Sequence, residues 1–128
     1  MLEKEKKLSE KEIRLITLQL LLTVDFMNRK GVVHRDLKPE NILLNSKEKR
    51  IYDIRIADFG FATKLGPDGT VGKDQSMVCG TPGYIAPETL IGKGFSNKSD
   101  VFSVGSIVYS MVTLRNIFPG RSYRGIMV

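Results

Sequence analysis

The hydrophobic positions near the start of the chain repeat with the period of an α-helix. The apolar residues that recur at steps of three or four are Ile13, Ile16, Leu20, Val24 and Met27. Ser9 followed by Glu12 is a capping-box signature, and Gly31 is a typical helix stop. The pattern therefore predicts a long helix over residues 9–30.

Further apolar residues fill much of the opposite side of this predicted helix, namely Leu15, Leu18, Leu22 and Phe26. A helix that is hydrophobic on both sides is typical of a buried position. We therefore expect it to be nearly surrounded by protein. An amphipathic helix on a membrane surface is disfavoured, because the Lys and Glu residues crowd the beginning of the helix and do not line one face.

Later apolar runs predict three more elements. Ile42–Leu44 and residues 54–57 read as short strands joined by the polar turn 45–52, which predicts a hairpin. A buried helix is predicted over residues 97–114 from Val101, Phe102, Val104, Ile107, Val108, Met111 and Val112. Between these elements, residues 66–73 are rich in glycine and polar side chains, which favours a flexible loop.

Composition is that of an ordinary soluble globular protein, with 41% hydrophobic and 27% charged residues. One domain, or part of one, is expected. The net charge of +6 is spread along the chain without an aromatic-basic stripe, so a solvated basic surface is favoured over a nucleic-acid partner.

Cys79 is the single cysteine, which excludes an internal disulfide and a Cys-rich zinc site. That usage fits a reducing compartment, so the cytoplasm is expected, with the nucleus as the alternative. The most apolar span, residues 101–114, is too short and too interrupted by serines to cross a bilayer. No membrane partner is expected.

Candidate chemistry is concentrated in three motifs: HRDLKPEN at residues 34–41, DFG at residues 58–60 and APE at residues 86–88. In the first, Asp36 is a carboxylate that can accept a hydroxyl proton. Asn41 and Asp58 offer the hard oxygen ligands that Mg²⁺ prefers. A proton acceptor, a divalent metal and accurate positioning are what phosphoryl transfer to a hydroxyl requires.

Together these motifs resemble the eukaryotic protein kinase family. The resemblance implies an α+β protein-kinase-like fold, in which residues 1–128 are a mainly helical C-terminal lobe with a short β hairpin. It places a catalytic loop at residues 34–41 and an activation segment at residues 58–88. It implies ATP and Mg²⁺ as cofactors, and transfer of the γ-phosphoryl group to Ser or Thr hydroxyls of a protein substrate.

Catalytic roles follow by resemblance. Asp36 is the expected base, and Lys38 neutralises charge on the moving phosphoryl group. Residues 79–84, CGTPGY, resemble a Ser/Thr-type substrate loop, in which Thr81 touches both Asp36 and Lys38. Nucleotide-binding roles fall to Asn41 and Asp58 as metal ligands.

Two further residues are expected to contact the nucleotide or the protein substrate. Leu43 is expected to form the floor beneath adenine, although it is also a credible core residue. Glu40 is expected near the nucleotide and the substrate, where it favours basic substrates by attracting their arginines.

Supporting roles are also implied. His34 and Phe59 are expected to stack in a hydrophobic column, although each is also a credible core residue, and Gly60 completes the DFG turn. Asp100 is expected to accept backbone N–H groups of the HRD turn, or to act as a first-turn acid of its helix.

Four positions depart from the family pattern or allow more than one role. Arg35 either pairs with a phosphate on the activation segment or serves as a structural hydrogen-bond donor. Met77 occupies the usual phospho-acceptor position, which leaves Ser76, Thr70 or no site. Glu88 lacks its family partner, because the matching arginine is not in this chain. Phe102 replaces the family's usual Trp, which loses an indole donor.

No Gly-rich loop and no lysine clamp precede His34, so the family's N-terminal lobe is expected to be missing and the chain alone to be inactive. The alternative is a kinase-derived binding or decoy module. Small-molecule phosphotransferases of related fold form a third class, but the GTPGY and APE elements favour a protein substrate.

The run CGTPGYIAPE most resembles the calcium/calmodulin-dependent group, which implies a calmodulin- or calcium-linked regulator acting through regions outside this chain.

Overall fold

The computed structural model describes residues 7–44, 53–72 and 77–119. In chain order, the elements in these ranges are α1 (Glu10–Arg29), β1 (Val32–Val33), β2 (Ile42–Leu44), β3 (Ile54–Ile56), β4 (Thr63–Lys64), α2 (Pro87–Leu90) and α3 (Ser99–Thr113). Strand β1 pairs with β4, and β2 pairs with β3, both antiparallel. The α+β class is therefore confirmed. Across the described ranges, no helix is both long and apolar enough to span a membrane.

Helix α1 begins at the capping box that the sequence predicts. The Ser9 N–H donates to Oε2 of Glu12 at 2.6 Å, and the Glu12 N–H donates to Oγ of Ser9 at 3.3 Å. These two bonds satisfy N–H groups that the first helical turn leaves without partners. At the other end, Gly31 adopts φ +68, a left-handed conformation that favours glycine.

One face of α1 forms the main core with α3 and the β2–β3 pair. The buried residues on that face are Ile16, Leu20, Val24 and Met27. The opposite face is exposed, with Leu18 at 54% and Phe26 at 60%, and Leu15 and Leu22 are exposed as well. The prediction that α1 is nearly surrounded is therefore wrong for the described residues, because α3 and β2–β3 cover only one side of it.

Helix α3 is also buried on one face only, so the prediction of a buried helix holds for that face. Its buried residues are Ser99, Asp100, Ser103, Val104, Ser106, Ile107 and Met111. Val101 and Val112, which the periodicity assigned to the core, are exposed. Phe102 is half-buried and stacks on Phe118 with ring centroids 6.3 Å apart, so its aromatic surface still has a packing partner.

Both strand pairs contact α1. In the predicted hairpin, Ile42 faces Ile56 and Leu44 faces Ile54. The second strand ends at Ile56, one residue earlier than predicted, and the connecting turn 45–52 lies outside the described residues. The pairing of β1 with β4 has no signal in the sequence, because each strand contains only two residues.

Residues 66–72, which belong to the loop that the sequence predicts, form hydrogen bonds within a turn and to a neighbouring segment. The Gly66 N–H donates to the Thr70 carbonyl at 2.7 Å, which closes a turn. The Val71 N–H donates to the Phe95 carbonyl at 3.0 Å, and the Asn97 N–H donates to the Gly69 carbonyl at 2.9 Å. These bonds dock the turn on the segment before α3. Residue 73, the last of the predicted loop, lies outside the described residues.

Candidate active site

The first half of the HRD turn is held by a carboxylate from α3. Oδ2 of Asp100 accepts the His34 N–H at 2.7 Å, and Oδ1 accepts the Arg35 N–H at 3.1 Å. Arg35 adopts φ +70, a left-handed conformation that is costly for a residue with a side chain. Burial raises the pKa of Asp100, while the two N–H donors act in the opposite direction. The predicted contact of Asp100 with the HRD turn is present.

His34 connects the HRD turn to the strand that leads into the DFG motif. Its side chain is fully buried, and its Nε2 lies 3.0 Å from the Ala57 carbonyl, while Nδ1 accepts the Asp36 N–H at 3.2 Å. Nε2 therefore carries the proton and Nδ1 is the acceptor. The Phe59 ring meets His34 edge-on, with centroids 4.9 Å apart, so the predicted stack is present in an edge-to-face form.

Asp36 meets two of its predicted partners. Its Oδ1 accepts a hydrogen bond from the Thr81 hydroxyl at 2.7 Å. The Lys38 ammonium donates to the Thr81 hydroxyl oxygen at 2.9 Å and lies 3.6 Å from Oδ2 of Asp36. The structure thus brings together the three residues that the resemblance groups at the transfer site. Because Asp36 is buried, this cluster is partly shielded from solvent.

Asn41 fixes the other side of Asp36. Its side-chain nitrogen donates to the Asp36 carbonyl at 2.9 Å and lies 3.4 Å from Oδ2 of the same residue. Because the amide nitrogen is used in this way, the amide oxygen is the atom that Asn41 can offer to a cation. Asn41 itself is held at the end of a 3-10 turn, Pro39–Asn41.

Asp58 reaches the same region through the β2–β3 pair. The Ala57 N–H donates to the Asn41 carbonyl at 2.8 Å, which brings the backbones of the two candidate metal ligands side by side. Asp58 adopts φ +58, and its Oδ1 accepts the Gly60 N–H at 3.2 Å. A Cβ on Gly60 would lie 3.0 Å from that oxygen, so glycine leaves the carboxylate accessible.

These residues fit a magnesium site of the kind that shares its ligands with a bound phosphate. No group of three or more His, Cys, Asp or Glu that could hold a metal ion occurs among the described residues. Mg²⁺ does not need such a cage, since it is commonly held by one or two carboxylates together with substrate phosphates. Asp58 and the amide oxygen of Asn41 match that pattern.

The remaining candidates lie around this cluster. Glu40 is exposed on the 3-10 turn. Leu43 is 42% exposed, because the strand alternation that buries Ile42 turns Leu43 outward. Leu43 is therefore on the open side of the β2–β3 pair among the described residues. Glu88 lies in α2, and the described residues contain no ion pair that involves its side chain.

Arg35 is held by contacts within the protein. Its Nε donates to the Phe61 carbonyl, and its guanidinium lies 5.2 Å from the centroid of the Phe95 ring. Those contacts match the structural-donor alternative. Of the candidate phospho-acceptors, Ser76 lies outside the described residues, while the Thr70 hydroxyl donates to Asp68 at 2.8 Å.

Sequence reasoning did not single out Gly80. Its φ is +106, and a Cβ built on it would lie 2.6 Å from the Arg35 carbonyl oxygen. Glycine is therefore required where the substrate loop passes the HRD turn. The sequence signal that could have identified Gly80 is its position directly before Thr81, the residue predicted to contact Asp36.

Comparison with known proteins agrees with this geometry. The protein kinase domain model matches residues 1–127. The chain belongs to the protein kinase family. Among similar proteins, the probable serine/threonine-protein kinase CCRP1 of Zea mays is 41% identical over 119 residues, which cover 92% of this chain. The serine/threonine-protein kinase dkf-2 of Caenorhabditis briggsae is 42% identical over 113 residues, or 88% of this chain.

These relatives and the CBL-interacting serine/threonine-protein kinase 16 of Arabidopsis thaliana, 37% identical over 88% of this chain, place the kinase segment in the serine/threonine group. The chain spans only 18%, 9% and 24% of the lengths of these three proteins. It therefore matches a small part of each, and this part includes the three motifs described above.

Proposed function

We propose that this kinase segment supplies the catalytic loop of a serine/threonine protein kinase, which transfers the γ-phosphoryl group of ATP to Ser or Thr hydroxyls of a protein. One observation carries the proposal. Oδ1 of Asp36 accepts a hydrogen bond from an aliphatic hydroxyl, that of Thr81, at 2.7 Å. A carboxylate has about four acceptor sites, so Asp36 can hold Thr81 and still accept the proton of a substrate hydroxyl.

The proposed roles divide among four side chains. Asp36 accepts the proton as the substrate oxygen forms its bond to phosphorus, and Lys38 places a positive charge 3.6 Å from the Asp36 carboxylate. Asn41 and Asp58 would hold Mg²⁺ through oxygen atoms. When bound, ATP supplies the phosphoryl group, and Mg²⁺ supplies the positive charge that neutralises it. Of the two remaining candidates, Glu40 would contact the substrate and Leu43 would contact the adenine ring.

We also propose that the chain alone has negligible activity. Leu43, the proposed adenine floor, and Phe59 are both exposed. The 33 residues before His34 contain no Gly-rich phosphate loop. A nucleotide on this surface would therefore be covered from one side only, and water would compete for its phosphates.

We also propose a regulator and a location for the protein. The resemblance of residues 79–88 to the calcium/calmodulin-dependent group supports a calcium- or calmodulin-linked regulator outside this chain. The single Cys79 supports a reducing compartment, the cytoplasm or the nucleus.

The test compares the chain alone with the chain fused behind the ATP-binding lobe of the Zea mays relative. Both proteins are incubated with ATP, Mg²⁺ and a Ser-containing protein substrate, and phosphate incorporation is measured. We expect incorporation only by the fusion, and a loss of roughly 10²–10⁴-fold in rate on Asp36→Asn. The matched control is Asp25→Asn, which removes an exposed carboxylate from α1 and should leave the rate unchanged.

Three results would contradict the proposal. A folded fusion without activity would favour the decoy or binding module. Equal rates for Asp36→Asn and Asp25→Asn would remove Asp36 as the base. Transfer by the chain alone, abolished by Asp36→Asn, would overturn the requirement for a covering lobe.

A further inference from the structure

Tyr84, in the substrate loop, is held by a hydroxyl from the buried face of α3. The Ser103 side chain is 6% exposed, and its hydroxyl donates to the Tyr84 carbonyl at 2.7 Å. The same hydroxyl lies 3.3 Å from the Ser99 carbonyl of its own helix. The shorter contact is thus the one that leaves the helix, whereas a helical serine commonly bonds back to its own turn.

The Tyr84 backbone is connected directly to Thr81. The Tyr84 N–H donates to the Thr81 carbonyl at 3.1 Å, which closes a tight turn. Gly83 within this turn adopts φ +95. The Tyr84 phenol is tethered as well, since it donates to Oδ1 of Asn116 at 3.3 Å. A shift of the Tyr84 carbonyl therefore moves Thr81.

Ser103 lies three residues after Asp100 on α3, and residues at that spacing share a helix face. Asp100 holds the HRD turn through the His34 and Arg35 N–H groups. One face of α3 therefore fixes both partners of the contact between Thr81 and Asp36, the catalytic loop through Asp100 and the substrate loop through Ser103.

We propose that Ser103 is a positioning residue for phosphoryl transfer, which acts through Tyr84 to hold Thr81 against Asp36 and Lys38. This inference rests on the proposed function for its kinetic consequence. Removal of the hydroxyl leaves the buried Tyr84 carbonyl without this donor and frees the Thr81 turn to move. Misplacement of reacting groups by about 1 Å can cost on the order of 10²-fold in rate.

Ser106 provides a matched control on the same helix. It is 2% exposed, and its hydroxyl has no hydrogen-bond partner among the described residues. Ser106→Ala and Ser103→Ala delete the same atom from equally buried positions, but only the second removes a bond to the substrate loop. If Ser103 only filled space in the core, Ser103→Ala and Ser106→Ala would have the same effect.

The kinetic test uses the fusion with an ATP-binding lobe. We expect Ser103→Ala to lower kcat by about 10- to 100-fold, with the KM for ATP changed by less than about twofold. Ser106→Ala should leave both values within about twofold of the parent, and Ser103→Thr, which keeps the hydroxyl, should recover most of the loss. Equal kcat values for the two alanine variants, or a change confined to the KM for ATP, would overturn the proposal.

A second measurement on the unfused chain needs no catalysis. Hydrogen exchange of the Tyr84 amide should be at least about tenfold faster in Ser103→Ala than in Ser106→Ala, while the α1 amides exchange alike in both. Equal exchange at Tyr84 would overturn the positioning role. If the parent fusion transfers no phosphate, the proposed function fails, and the exchange measurement alone decides whether Ser103 holds the turn.

Discussion

Asp100 accepts the His34 N–H at 2.7 Å, although the two residues are 66 positions apart in the chain. Its other oxygen accepts the Arg35 N–H at 3.1 Å. One buried carboxylate thereby satisfies two backbone donors in a turn that contains a left-handed residue. The position of Asp36 depends on this long-range contact.

Replacement of Asp100 by asparagine should destabilise the protein. An amide offers one acceptor oxygen, so one of the two N–H donors would face an NH₂ group and lose its partner. We expect the free energy of unfolding to fall by about 1–3 kcal/mol, measured by urea denaturation. Asp25→Asn, an exposed site on α1, should change it by less than about 0.5 kcal/mol. Similar losses at both positions would contradict the structural role of Asp100.

The stability should also depend on pH through Asp100. Burial raises the pKa of this carboxyl above its ordinary 3.8. A raised folded-state pKa means that the stabilising contribution of protonation is fully present below pH 3.8 and is lost as pH rises through the raised pKa. Between these two limits, the stability advantage of the parent over Asp100→Asn should shrink as pH increases. Urea denaturation at several pH values measures this difference, and a constant or growing advantage would contradict it.

Cys79 should react slowly with alkylating reagents in the folded protein. Its side chain is 6% exposed, and burial raises the pKa of its thiol, with Asp36 adding to and Arg35 opposing the effect. Since the thiolate is the reactive form, we expect iodoacetamide labelling at pH 8 to be at least about tenfold slower than in urea. Mass spectrometry gives both rates from the same residue. Equal rates would indicate that Cys79 is accessible in the native state.

Gly80→Ala should be strongly destabilising. The new Cβ would lie 2.6 Å from the Arg35 carbonyl oxygen, at a residue with φ +106. Strain in this conformation alone costs about 1–3 kcal/mol, and the clash adds to it. Gly72→Ala is the control, because none of the described residues has an atom within 4 Å of its Cβ position. Thermal unfolding should show a large decrease in Tm for Gly80→Ala and little change for Gly72→Ala.

Much of the candidate site could be predicted because its residues lie within contiguous motifs. The catalytic loop places Asp36, Lys38 and Asn41 within a few residues of each other, so local geometry determines much of their arrangement. The contact of Thr81 with Asp36 was predicted as well, from the CGTPGY run. By contrast, the need for glycine at position 80 depends on how closely two distant backbone segments approach each other. Residue type alone does not specify that distance.

The fold was predicted less completely, for physical reasons. The apolar period located α1 within one residue at each end, but it could not tell whether a neighbouring element covers Leu18 and Phe26. Two-residue strands such as β1 have no detectable period. The docking of residues 66–72 on the segment before α3 uses backbone hydrogen bonds, which are available to any sequence, so glycine-rich composition gave no sign of it.

The stripe of apolar side chains along the outer face of α1 determines how the purified chain behaves in solution. Leu18, Leu22 and Phe26 form an exposed hydrophobic patch. Such patches favour self-association as the protein concentration rises. The +6 charge opposes this only through long-range repulsion, which salt screens. Dilute samples at low ionic strength should therefore keep the chain monomeric, whereas concentrated, salty ones should precipitate it.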